Sequence, residues 1–124
     1  IMGKNLKFVN EKHEKNYISL INKFVSKINK DIDVVLKLIS IDEVYNIAKE
    51  YIKGTTIEFK ELLNDSRMTN TALFIGELAY SFLIKKFAVK SISSTRNLDT
   101  DTRNFIINLL DSYATLDKQK ISCA

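Results

Sequence analysis

A chain of 124 residues, 45% hydrophobic and 27% charged, is long enough to bury one core and too short for two. With no proline and only Gly3, Gly54 and Gly76, it lacks the turn chemistry of β-sandwiches and barrels, which leaves helices joined by polar turns. The formal net charge is +4, and all of the excess lies in the first thirty residues, where seven lysines face only Glu11 and Glu14.

The elements follow from spacing and caps. Residues 1–9 read as an N-terminal arm, with Ile1 standing before Met2, the natural start. Met2-Gly3 has Lys7 where an acylation signal wants Ser or Thr, so no lipid anchor is expected. A first helix is predicted from a cap at Asn10 to about 29, with Tyr17, Leu20, Ile21, Phe24, Val25 and Ile28 inward. Its inner stripe projects back through His13, and Lys12, Lys15, Lys23, Lys27 and Lys30 fall on the opposite side. Asp31 is the expected cap of a short second helix ending at Ile39.

A third helix opens at Asp42, with Val44, Tyr45, Ile47, Ala48, Tyr51 and Ile52 inward and Gly54 as its stop. Thr55-x-x-Glu58 has the spacing of a capping box before Phe59, Leu62 and Leu63, yet Thr55-Thr56-Ile57 is equally a short strand. After the polar turn 64–67, a helix over about 69–89 is apolar on most sides: Ala72, Leu73, Phe74, Ile75, Leu78, Ala79, Phe82, Leu83 and Phe87. Such a helix is expected at the buried centre of its domain. A Ser-rich loop covers 91–97. Asp99 caps a last helix with Phe105, Ile106, Leu109, Leu110, Tyr113 and Leu116 inward, and 118–124 reads as a frayed tail. The fold class is all-α, an irregular single-domain bundle of five to six helices over 10–117.

Chemistry is sparse. His13 is the natural general acid–base candidate, but there is no second His, and Cys123 stands alone, so neither a transition-metal site nor a disulfide framework is expected. The preferred reading packs His13 at the helix start with its polar edge hydrogen-bonded. Glu77, inside the most apolar helix, is the second catalytic candidate, and a partner-satisfied or surface carboxylate is the better reading. Asp99, Asp101 and Thr102 lack the glycine and terminal Glu of a calcium loop, so they cap a helix. No phosphate loop, dinucleotide fingerprint, nucleophile elbow or zinc motif occurs, so no cofactor and no enzyme activity are expected.

The lysine face is the feature suited to binding, and Lys12, Lys15, Lys23, Lys27 and Lys30 are its candidate residues. Lysine outnumbers arginine 16 to 3. Arginine is the residue that reads guanine and clamps phosphate, so a protein partner is favoured over nucleic acid, which stands second. So apolar a central helix is also a candidate for self-association. The longest apolar stretch, Ala72 to Ile84, contains Glu77 and is too short to cross a bilayer. A cytoplasmic location is expected.

The run Phe8-Val9-Asn10-Glu11-x-His13-x-x-Asn16-Tyr17 resembles the opening of small uncharacterised proteins of phages and mobile elements from low-GC Gram-positive bacteria, staphylococci included, which begin F-(L/V)-N-E-x-H-x-x-N/R-(F/Y). Leu78-Ala79-Tyr80 and Asn97-Leu98-Asp99 are similar to later segments of that family, while 31–64 departs from it. The abundance of Lys, Ile and Asn fits the same AT-rich sources. The resemblance implies a source and a helical fold, not a reaction. The expected role is that of a non-catalytic accessory protein that binds another macromolecule.

Overall fold

In the computed structural model, residues 8–85 and 98–123 are described, with 115–123 described as helix backbone alone. Asn10 starts the first helix as expected: its extended backbone lets the side chain accept from the His13 N–H. That helix, α1 (Glu11–Lys23), ends earlier than its apolar spacing suggested. The reason is a second cap. Asn29 is extended and accepts from the Ile32 N–H, so α2 (Lys30–Ile39) is capped two residues before the cap expected at Asp31. A continuous helix through 29 would forbid that backbone. The chain instead turns at Phe24 and through a 3-10 turn, Val25–Lys27. Leu20 and Phe24 stay buried, but Val25 and Ile28, expected inward, are turned out to solvent.

α3 (Asp42–Ala48) tightens into a 3-10 turn at Lys49–Tyr51 and passes into a two-stranded hairpin, β1 (Ile52–Lys53) and β2 (Thr56–Ile57). Gly54 is therefore not a helix stop. It takes φ +63 at the first central position of the hairpin turn, where a side chain would be strained. The Thr55-x-x-Glu58 box does not form, because Thr56 and Ile57 pair with Lys53 and Ile52, and Glu58 precedes α4 (Phe59–Leu63) without a side-chain cap. α5 (Asn70–Ile84) is capped by Thr69, whose hydroxyl accepts from the Ala72 N–H, and Lys85 closes it in the left-handed region. α5 thus ends at Ile84, short of the expected 89, because Lys85 leaves helical backbone, while residues 86–89 and the loop 91–97 lie outside the described residues. Asp99 accepts from the Thr102 N–H and so caps α6 (Thr100–Cys123), whose backbone continues through the residues expected as a tail.

The fold is all-α with one small hairpin, and among the described residues six α-helices share one core. The expected apolar helix, α5, contributes Ala72, Ile75, Gly76, Ala79 and Phe82 to that core, while Leu83 and Ile84 face outward. Its chief neighbour, α2, is the more enclosed. α2 packs on α5 most extensively and also on α1, α3 and α6, and Val35, Leu36, Leu38 and Ile39 are fully buried. Gly76 marks close packing of α5 against the end of α4, since a Cβ there would stand 2.9 Å from Leu63 Cδ2.

Candidate functional site

The residues of the N-terminal motif meet at the end of α2. His13 is 1% exposed and both of its ring nitrogens are engaged. Nδ1 accepts from the Val9 N–H at 2.9 Å, which fixes the proton on Nε2, and Nε2–H donates to the Lys37 carbonyl at 2.7 Å. Three residues on, the Asn16 amide donates to the Ser40 carbonyl at 3.0 Å. The last carbonyls of a helix have no partner within it, so the H-x-x-N spacing on α1 caps the C-terminus of α2. Phe8 and Phe105 meet the His13 ring edge to face, with centroids 5.1 and 4.7 Å away. Burial lowers the His13 pKa, and the bond to the Lys37 carbonyl offsets this only in part. His13 is thus a neutral core histidine whose lone pair and N–H are both taken.

Glu77 is half-buried on α5 and engaged with a neighbour. Among the described residues no group of three or more His, Cys, Asp or Glu side chains is placed to hold a metal ion. No helix among them is long and apolar enough to cross a membrane.

The five candidate lysines separate into two sets. Lys12, Lys15 and Lys23 lie within about a quarter turn of one another on the outer face of α1, and Lys27 is exposed on the 3-10 turn that follows. Lys12 reaches Asp42 at 3.6 Å and remains largely exposed, a pair of small energetic weight. Lys15, Lys23 and Lys27 form no ion pair among the described residues. Lys30 departs from this face. It is half-buried with its ammonium 4.9 Å from the Tyr113 ring centroid, tied to the body by a cation–π contact.

Lys30 belongs instead to a cluster not foreseen from the sequence. Asp31, expected as a cap, is 9% exposed and accepts from the Tyr113 hydroxyl and from Lys85 at 3.2 Å. Burial pushes the Asp31 pKa up, but the Tyr113 hydroxyl and the Lys85 ammonium outweigh it, so the carboxyl stays below its usual range. The same bond and partial burial push Tyr113 up to about 12. Tyr113 lies 82 positions from Asp31, and no local pattern announces that pairing. Tyr113→Phe should cost about 1.5–3 kcal/mol in chemical denaturation, the weight of a hydrogen bond to a carboxylate. A loss of under a few tenths would show Lys85 sufficient for Asp31.

Two further networks join elements. Tyr17 donates to Asp33, which also pairs with Lys37 at 2.9 Å, an i,i+4 contact readable from the sequence. Arg67 bridges Glu50 at 2.9 Å and Asp65 at 2.8 Å, while the Tyr51 hydroxyl donates to Asp65 at 2.7 Å. The Arg67 guanidinium holds the Asp65 carboxyl well below the usual range, and the cluster pins the α4–α5 turn to the end of α3. These carboxylates are committed internally. Compared with protein-family models, with curated proteins and with solved structures, the chain matches none of them.

Proposed function

We propose that this chain is a non-catalytic accessory protein of a prophage or mobile element, acting in the cytoplasm by binding another protein through the outer face of α1. One observation carries the reading. Lys15, Lys23 and Lys27 are exposed and unpaired among the described residues, while the nearby carboxylates Asp31 and Asp33 bond to Lys85, Lys37 and two tyrosines. Uncompensated clustered charge attracts anionic partners and speeds encounter. The non-catalytic part rests on His13, whose two ring nitrogens are occupied within a sealed pocket. The N-terminal motif that resembles phage and mobile-element proteins supports the source.

The test compares the parent chain with a Lys15→Glu, Lys23→Glu, Lys27→Glu variant as baits in extract of a low-GC host, after nuclease treatment. A protein retained by the parent and lost by the variant is the expected result. Equal retention would end the reading. Nucleic acid stands second, favoured by the same lysines, and it requires sequence-independent binding that falls steeply with salt. A variant that binds DNA and RNA as well as the parent does would exclude it.

A further inference from the structure

We infer that the ridge of Ile18, Val25 and Ile28, edged by Lys15, Lys23 and Lys27, docks an acidic amphipathic helix of a partner protein. This rests on the lysine-face reading above and specifies its partner. The apolar half of the ridge was not expected, since Val25 and Ile28 belonged to the predicted inner stripe. The early end of α1 turns them out. Ile18 is 48% exposed, Val25 73% and Ile28 38%, and Val25 is the most exposed large hydrophobic among the described residues.

Their placement follows from helix geometry. Ile18 and Asn22 stand four residues apart on the exposed side of α1, and Val25 follows on the 3-10 turn after α1 ends at Lys23. Val25 and Ile28 span the 3-10 turn, in which positions three apart eclipse one another. Lone exposed apolar residues are ordinary, but a row of them has a use. Lys15 precedes Ile18 by three, which makes them neighbours on α1, while Lys23 and Lys27 lie exposed two residues before and after Val25 in sequence.

The charge of this segment is one-sided. From Lys15 to Lys30 there is no Asp or Glu, and the carboxylates that come next, Asp31 and Asp33, are held by Lys85 and Lys37. Glu14, four residues before Ile18, and Glu11, seven before it, share its side of α1, so the one-sided charge begins at Lys15. A partner gains by matching both features, with carboxylates for the lysines and apolar side chains for the row. An acidic helix with apolar positions three and four apart does so.

Other occupants match one feature only. Nucleic acid would use the lysines but leave the Ile and Val row idle, and Tyr17 and Phe24, which could stack on bases, are directed to the core. An anionic membrane takes helices that present Trp, Phe or Leu, none of which is in this row. A second copy would bring like charge against like charge.

The experiment is a selection with the full chain as bait against a displayed library of random peptides long enough to cross the ridge as a helix. Labelled winners are then titrated by fluorescence anisotropy. Enriched peptides should be net acidic with apolar residues at helical spacing. Val25→Asp and Ile18→Asp should each weaken them by about tenfold or more, the worth of one buried aliphatic side chain. Lys15→Glu with Lys27→Glu should do the same, and circular dichroism should show every variant folded.

Enrichment of neutral or basic peptides, or none at all, overturns the inference. So does tighter binding to a single-stranded oligonucleotide or to vesicles of phosphatidylcholine and phosphatidylserine. If the lysine variant loses binding and Val25→Asp does not, the inference falls and the lysine-face reading stands. If neither substitution matters, both fall.

Discussion

His13→Ala should lower the unfolding free energy by about 3–5 kcal/mol, measured by urea denaturation near neutral pH. The substitution removes a ring that is 1% exposed and leaves a cavity between Phe8 and Phe105. It also strips the Val9 N–H of its acceptor and the Lys37 carbonyl of one of its two side-chain donors, the other being the Ser40 hydroxyl. A cost below about 1 kcal/mol would mean that the end of α2 needs no cap from α1.

The same residue carries a pH dependence of known sign. Burial lowers the folded pKa of His13 below the ordinary 6.5, so in acid the unfolded chain takes up this proton before the folded one. The contribution is complete above pH 6.5, falls as the pH drops below that value, and levels off once the folded ring titrates. His13→Ala should therefore flatten the loss of stability between about pH 6.5 and the onset of carboxylate protonation. Asp31 acts in a lower window: its depressed pKa gives stability that is present above the ordinary 3.8 and lost as the pH falls through its folded value.

Leu36→Ala should cost about 3–5 kcal/mol, whereas Leu83→Ala should cost about 1 kcal/mol. The two leucines look alike in the sequence, and Leu83 lies in the more apolar helix. Leu36, however, is fully buried on α2, which α1, α3, α5 and α6 surround, while Leu83 is 38% exposed near the end of α5. Chemical denaturation of the two variants side by side decides the point. Equal costs would place the centre of the core on α5 rather than α2.

These two leucines mark the limit of reading burial from hydrophobicity. An all-round apolar helix announces that it is covered, and α5 is half of the central pair. A short helix such as α2 carries too few residues to announce that it is enclosed on every side. Its enclosure comes from four neighbours spread across the chain. The lysine face was legible in the same partial way. Periodicity placed Lys12, Lys15 and Lys23 outward on α1, but Lys30 went to Tyr113, which no local spacing could indicate.

What the sequence determined by itself was local. Asn10, Thr69 and Asp99 cap helices because their side-chain oxygens reach backbone N–H groups three residues on. The scarcity of glycine and proline set the helical class, and His13 belonged to the inner stripe by its spacing from Tyr17. Tertiary structure decided which of two competing caps, Asn29 or Asp31, begins α2. Asn29 prevails because a helix starting there buries Asp31 against Tyr113 and Lys85, and that same choice ends α1 early and turns Val25 and Ile28 outward. The cap energies of Asn and Asp are nearly equal, so contacts between distant parts of the chain, Asp31 with Tyr113 and Lys85, separate them.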